Sequence, residues 1–292
     1  MNLLGEYRNG NYNVSIFDDG TKIRETDDDV FVSQFPECMD VKITNYCDIN
    51  CPYCHENSSI DGLHGDILHP KFINTLRPYT EIAIGGGNPL SHPQLLEFLT
   101  ILKSKNIIAN ITVNQTHFLQ EQATMRYLYD NHFVRGIGVS LTATTPELVA
   151  RLRDFPNAVL HVINGIVSVD HLRRLHSNGF KVLILGYKMF RKGNDFYSEE
   201  VEQNKSALYN LLPKVIYGFT VVSFDNLAID QLEVKRLMSQ RQWGEFYMGD
   251  DGQFTMYIDL VEQKFARCSV ATERFDLLDN IEDMFQVVKR TD

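Results

Sequence analysis

Short apolar segments alternate with amphipathic helical segments along most of this chain, and this alternation is the strongest constraint on its fold. The apolar segments run over 40–44, 81–84, 107–113, 136–141, 158–163 and 181–185. Helical patterns separate them, the last one covering 204–212. Apolar strands separated by helices are typical of a parallel sheet whose faces are both covered. The sequence therefore predicts an α/β fold built on a parallel sheet.

Two alternating, turn-containing segments flank this region. Residues 12–24 and 254–268 each read as a β-hairpin, and both have an Asp-Asp-Gly turn signal inside or just ahead of them. A further strand is predicted over 215–224. A chain of 292 residues suits one large α/β domain with appendages. We expect an N-terminal β-hairpin extension over 1–36, a core over 37–224, and a C-terminal extension of helix, hairpin and helix over 225–292.

Three of the five cysteines lie in one short loop after the first predicted core strand. They are Cys47, Cys51 and Cys54, with the spacing C-x3-C-x2-C. This spacing turns three thiolates toward one small volume. Three thiols are too few for a closed site of four cysteines, and the number is odd for a set of disulfides. The loop predicts a metal centre with one coordination position left open.

The triad, with the aromatic Tyr53 just before its last cysteine, resembles the radical S-adenosylmethionine (SAM) enzymes. The resemblance implies that Cys47, Cys51 and Cys54 hold a [4Fe–4S] cluster and that SAM binds its fourth iron. One electron then cleaves the sulfonium to give a 5′-deoxyadenosyl radical. It also implies a partial (β/α)6 TIM-like barrel, with β-hairpin extensions at both ends here. A doubly wound open sheet is the alternative fold.

A zinc site made by the three cysteines and His55 is the rival interpretation of this loop. Zinc ligands usually come as two pairs separated by a longer loop. Here all four would fall within nine residues, and His55 directly follows the last cysteine. The spacing therefore favours a cluster over zinc.

A glycine run ends the second predicted strand at Gly85, Gly86 and Gly87. Glycines at a strand end let the backbone approach a ligand closely, although a plain turn between strand and helix has the same composition. With Asn88 and Pro89, the run resembles the family's Gly-Gly-Glu-Pro motif, which contacts the amino group of SAM. Asn88 replaces the glutamate, so a neutral acceptor stands where a charge-assisted bond is expected. The resemblance predicts a weaker grip on SAM.

Further SAM contacts follow from the same resemblance. Asn114, at the end of the third strand, and Ser140, on the fourth, match polar positions near the cofactor. Both could equally be strand-end capping residues. Ile163 and Gly165 fit two positions of the family's adenine motif, but His161 and Ser168 stand at two others. The predicted SAM contacts are Tyr53, Gly85, Gly86, Gly87, Asn88, Asn114, Ser140, Ile163 and Gly165.

Cys268 is the one cysteine of the C-terminal region, which is too few for the auxiliary clusters of some peptide-modifying relatives. It is predicted either to be a buried apolar residue or to act as a catalytic hydrogen-atom donor. After the sixth strand, Lys188, Arg191 and Lys192 form a basic group. These side chains are predicted to be solvated, or, if they point inward, to meet an anionic group of substrate or cofactor.

Net charge and apolar patterning limit the partners. A formal charge of −10 disfavours binding to bulk nucleic acid. Because the N-terminal residues lack a signal-peptide pattern and no apolar run approaches a membrane span, we expect a cytoplasmic protein without membrane contact. The resemblance implies a peptide or small-molecule substrate and an electron donor such as flavodoxin or ferredoxin. A non-catalytic protein that binds cluster and SAM is the alternative function.

Overall fold

A computed structural model describes residues 1–291, which form a mixed α/β fold with two sheets. The smaller sheet is an antiparallel meander at the N-terminus, with strands β1 (Leu3–Asn9), β2 (Tyr12–Phe17) and β3 (Lys22–Glu25). The predicted hairpin corresponds to β2 and β3. The first strand was not predicted, because Leu3–Asn9 alternates only weakly between buried and exposed positions.

The larger sheet has ten strands, of which the first seven in the chain are parallel and lie side by side in sequence order. They are β4 (Cys38–Thr44), β5 (Glu81–Gly86), β6 (Ile108–Asn114), β7 (Gly136–Ser140), β8 (Ala158–Ile163), β9 (Lys181–Leu185) and β10 (Val221–Phe224). The order never reverses. A doubly wound sheet needs such a reversal at its switch point, so the alternative fold predicted from the sequence is wrong.

The last three strands extend the sheet beyond β4. They are β11 (Thr255–Asp259), β12 (Lys264–Ala266) and β13 (Phe275–Asp276). β11 and β12 form the predicted antiparallel hairpin. In addition, β11 pairs in parallel with β4, which the sequence analysis did not foresee. The C-terminal hairpin is therefore part of the main sheet.

Helices cover one face of this sheet. They are α1 (Pro70–Ile73), α2 (Leu95–Ser104), α3 (Gln115–Gln120), α4 (Gln122–Asp130), α5 (Pro146–Leu152), α6 (Val169–Leu175), α7 (Lys192–Phe196), α8 (Glu199–Val215), α9 (Asn226–Gln231), α10 (Gln240–Phe246) and α11 (Ile281–Val288). Short 3₁₀ turns occupy 89–91, 216–218 and 234–237. Among residues 1–291, no helix has both the length and the apolar character needed to cross a membrane.

The strand predicted over 215–224 is shorter than expected. Helix α8 extends to Val215, and only Val221–Phe224 is strand. Leu208, Leu212 and Val215 are buried at helical spacing, so they continue the apolar stripe of α8. The helical spacing of these apolar residues therefore extends the helix to Val215, despite the high β propensity of the residues that follow.

Alternate residues of the parallel strands point to different environments. One set, including Ile82, Ile84, Val162 and Ile184, belongs to the hydrophobic core and is fully buried. The other set lines a cavity of roughly 830 Å³. This second face carries the polar residues considered next.

Candidate functional site

The cysteine loop follows β4 directly and closes on its own backbone. Asn45 N–H donates to Leu63 O (2.8 Å), and Cys47 N–H donates to Ser59 O (2.8 Å). Within the loop, Cys54 N–H donates to Cys51 O at 3.2 Å. All three thiols line the cavity at this end of the sheet. Strand β4 thus delivers the triad to the end where parallel-strand folds build their sites.

The three sulfurs face one another closely enough to interact electrostatically. Burial raises the pKa of the Cys51 thiol, and the charges of Cys54 and Cys47 raise it further. Thiols brought together in this way stay protonated unless a cationic group lies between them. A metal centre would supply that positive charge and hold the thiols as thiolates.

Residues 1–291 contain no set of three His, Cys, Asp or Glu side chains arranged to hold a single metal ion. His55 turns away from the thiols: its Nε2 lies 3.2 Å from Lys188 Nζ and 3.4 Å from Glu56 Oε1. The zinc set of Cys47, Cys51, Cys54 and His55 is therefore not formed. A cluster places each thiolate on a different iron and so needs sulfurs that share a volume without converging on one point.

The glycine run packs against the start of the cysteine loop. Gly87 N–H donates to Thr44 O at 2.8 Å, and Asn88 N–H donates to Tyr46 O at 2.6 Å. A Cβ on Gly87 would lie 2.1 Å from Tyr46 O, and Gly86 has a φ of +111°. Gly85 differs, since a Cβ there would meet no atom within 4 Å. Two of the glycines are required by the fold, whereas the third leaves open space on the cavity wall.

Most of the predicted SAM contacts lie around this cavity. Its lining includes Tyr53, Gly85, Gly86, Gly87, Asn114, Ser140 and Ile163. The Asn114 amide is 3.8 Å from Cys51 Sγ. Its Oδ1 accepts a hydrogen bond from Thr116 N–H and so also caps α3. Asn114 therefore caps α3 and also lines the cavity.

Three predicted site residues lie outside the cavity lining. Asn88 is buried, and its Oδ1 accepts from Leu90 N–H at 3.2 Å. Gly165 packs against Val201 and Lys205 of α8. Cys268 opens onto a separate surface pocket, while the next residue, Ser269, lines the cavity. The placement of Cys268 gives no support to the predicted role as hydrogen-atom donor.

A buried group of charged residues connects the cysteine loop to strands β4 and β11. Lys42 on β4 is 1% exposed, and its Nζ lies 3.2 Å from Glu56 Oε2 and 3.1 Å from Asp259 Oδ2. These contacts fall outside hydrogen-bond angles, so they are purely ionic. Tyr257 OH donates to Glu56 Oε1 at 3.2 Å. Burial opposes the charge of Glu56, but the hydrogen bond from His55 and the cations around it keep the pKa of Glu56 well below its usual range.

The basic group after β9 has two roles. Arg191 donates to Glu56 O at 2.9 Å, and Lys192 donates to Asn50 Oδ1 at 2.7 Å, so both hold the cysteine loop. Lys188 instead lines the cavity. The sequence analysis missed Lys42, Glu56, Tyr257 and Asp259. Its one available signal was Lys42, a charged residue inside an otherwise apolar strand.

His161 on β8 gives the cavity a predicted pH dependence. Burial and, to a smaller extent, the charge of Lys188 together lower the pKa of His161 to about 4. In the unfolded chain, histidine titrates near pH 6.5. Between pH 6.5 and 4 the unfolded state therefore binds more protons, and the free energy of unfolding falls as the pH is lowered. We expect His161→Gln to reduce this fall in urea titrations at pH 7.5 and 5.

Replacing the exposed His132 is the matched control and should leave the pH dependence of the wild type unchanged. If the free energy of unfolding changes equally with pH in His161→Gln and in the wild type, His161 does not cause the pH dependence.

Comparison with known proteins gives partial matches. No family model matches the chain. A probable GTP 3′,8-cyclase of Methanocaldococcus jannaschii is 30% identical over 132 residues, which is 43% of this chain and 43% of the relative. The fold resembles SuiB of Streptococcus suis bound to S-adenosylmethionine, with a TM-score of 0.60 and 12% identity over 89% of this chain and 69% of SuiB. The structure of SuiB bound to its precursor peptide SuiA gives a TM-score of 0.56, with 12% identity over 89% of this chain and 68% of SuiB.

The chain shares its fold with SuiB and part of its sequence with the probable GTP 3′,8-cyclase. It spans less than half the length of the curated relative, so its activity is not transferred from that protein. The cysteine triad and the glycine run line one and the same cavity.

Proposed function

We propose that this protein is a radical SAM enzyme that cleaves SAM reductively and starts radical chemistry on a small molecule or peptide. The observation that carries this proposal is the shared cavity, lined by Cys47, Cys51 and Cys54 on one side and by Gly85 on the other. When bound, a [4Fe–4S] cluster and SAM would supply the reductive cleavage. The protein would hold the cluster through the three thiolates and leave space for SAM beside Gly85.

The shape of the sheet supports a partial (β/α)6 barrel. Asp40 on β4 and Ser223 on β10 both line the cavity, although these strands lie at opposite ends of the parallel part. A flat sheet would keep them far apart. In addition, Asn226 Nδ2, just after β10, donates to Asp251 Oδ1, just before β11, at 2.8 Å. We infer that the sheet curves around the cavity and that the segment before β11 helps to close the gap.

The N-terminal sheet is proposed as an extension that covers the other end of this barrel. Phe17 and Gly20 line the cavity together with the first residues of several strands. Lys22 Nζ lies 2.6 Å from Glu81 Oε2 and 3.2 Å from Glu37 Oε2. These two ion pairs connect the N-terminal sheet to the core and are largely buried. Residues 1–36, 37–224 and 225–292 remain the proposed units, with the last contributing strand β11 to the core sheet.

Anaerobic reconstitution with iron and sulfide tests the proposal. We expect a brown protein that forms 5′-deoxyadenosine from SAM once dithionite is added. Flavodoxin or ferredoxin is the proposed physiological electron donor. A colourless protein would overturn the cluster assignment, and a brown protein without 5′-deoxyadenosine would overturn catalysis.

Asn88 favours a second candidate, a protein that binds cluster and SAM without catalysis. Its Oδ1 is occupied by Leu90 N–H, so the acceptor expected for the SAM amino group is already in use. The 5′-deoxyadenosine assay separates the two candidates.

Two glycine variants test where SAM binds. In Gly85→Ala the new methyl group enters open space on the cavity wall. We expect normal folding but weaker SAM binding, by about tenfold, measured by equilibrium dialysis. In Gly87→Ala the methyl group collides with the Tyr46 carbonyl, and we expect a lower melting temperature. Unchanged SAM affinity in folded Gly85→Ala would contradict the proposed position of SAM.

A further inference from the structure

Lys188 presents an ammonium group to the cavity that the protein does not neutralise by direct contact. Its Nζ donates to Ser269 Oγ at 2.8 Å and lies 3.2 Å from His55 Nε2. Among residues 1–291, no carboxylate lies within ion-pair distance of it. A lysine has three donor protons, and the bond to Ser269 uses one of them. At least one proton is therefore available to an acceptor in the cavity.

Two carboxylates share the cavity with this lysine. Asp40 projects from the middle of β4, and Asp225 lies at the end of β10. The Oδ1 of Asp225 accepts hydrogen bonds from Gly186 N–H (2.8 Å) and Ala228 N–H (2.7 Å), which leaves Oδ2 for another partner. Burial raises the pKa of both acids, and the charge of Lys188 lowers it. One ammonium group and two acidic side chains therefore lie close enough to interact in this part of the cavity.

This part of the cavity wall is distinct from the part assigned to SAM. Lys188 and Asp225 follow β9 and β10, and Ser269 follows β12. The glycine run and Asn114 belong to β5 and β6, which β7 and β8 separate from β9 in the strand order.

We propose that this wall binds a small amino acid-like zwitterion, with its carboxylate on Lys188 and Ser269 and its ammonium group facing Asp40 and Asp225. A phosphate dianion would be repelled by the two acids, and a simple amine would leave Lys188 without a partner. A ligand with one charge of each sign satisfies both groups. This inference names the substrate class of the enzyme proposed above and rests on that proposal.

Binding can be measured without turnover. Reconstituted protein is mixed with each of the twenty common L-amino acids in turn, and the melting temperature is recorded. Each amino acid that raises the melting temperature is then compared with two matched probes. One is the primary amine that lacks its carboxylate, and the other is the carboxylic acid that lacks its amino group. Inorganic phosphate is a third probe. We expect a shift with at least one amino acid and a much smaller shift with its amine, with its acid and with phosphate.

Lys188→Met should weaken binding of that amino acid by about 10- to 100-fold, as the loss of a charge-assisted contact predicts. Ser269→Ala should weaken it less, and the exposed Lys214→Met should not change it. SAM affinity should be the same in all three variants. The inference is overturned by the absence of any amino acid shift, by equal shifts with the matched amine, acid or phosphate, or by loss of SAM affinity in Lys188→Met. Formation of 5′-deoxyadenosine without amino acid binding would refute only this inference. Amino acid binding without formation of 5′-deoxyadenosine would refute only the proposed enzymatic activity.

Discussion

Cys51→Ala is expected to abolish both cluster loading and 5′-deoxyadenosine formation. Cys51 lies between the other two cysteines in the loop, and its thiol interacts with both of them. Changes in the outer shell of a metal site already cost about 10–100-fold in affinity or activity. Loss of a direct ligand should cost more than that. Iron content and the visible absorbance after anaerobic reconstitution measure the first effect, and product formation from SAM measures the second.

Cys268→Ala is the matched control for this experiment. Cys268 faces a separate pocket, so the variant should load iron and form 5′-deoxyadenosine like the wild type. A Cys51→Ala protein that keeps its iron and colour would refute the cluster assignment. Loss of 5′-deoxyadenosine in Cys268→Ala would show that this thiol matters more than its position indicates.

Lys42→Met is expected to lower the free energy of unfolding by about 3–5 kcal/mol, because it leaves Glu56 and Asp259 buried without their shared cation. Both carboxylates lie near 3 Å from Lys42 Nζ. Arg274 contacts Asp259 only at 3.5 Å and cannot replace the lysine. Chemical denaturation monitored by circular dichroism measures the change. Iron loading should fall as well, since Glu56 lies two residues after Cys54.

The ion pair between Lys264 and Asp276 provides the comparison. Its atoms are 2.9 Å apart, but Asp276 is 90% exposed. Lys264→Met should therefore lower the free energy of unfolding far less than Lys42→Met. Removing the charges together, in Lys42→Met/Glu56→Gln/Asp259→Asn, should recover part of the lost stability. If Lys42→Met costs no more than Lys264→Met, the buried charges do not stabilise the loop.

The order of elements and the cysteine triad could be predicted from the sequence because both depend on local patterns. All six core strands begin and end within about two residues of their predicted limits, and the glycine run and the triad line one cavity. The placement of β11 beside β4 could not be predicted. It pairs Tyr257 with Asp40 across more than two hundred residues, and no local pattern specifies a partner at that distance.

Roles that depend on such distant contacts were also missed. In the sequence, Lys42 is an isolated charge within an apolar strand. In the fold, it contacts Glu56 and Asp259, which come from two different segments. Asn88 and Cys268 are the opposite case, in which the sequence suggested a role that the fold does not support. Both residue types suit the chemistry, but the backbone turns Asn88 into a cap and directs Cys268 to another surface.

The pairing of β11 with β4 has a consequence for how the protein matures in the cell. Tyr257 and Asp259, which hold Glu56 and Lys42, leave the ribosome long after the cysteine loop has been synthesised. Until they arrive, the triad lies on a segment whose buried charges lack their partners. Iron insertion is therefore expected to follow completion of the C-terminal hairpin, so that a nascent chain stalled before residue 255 would acquire no cluster.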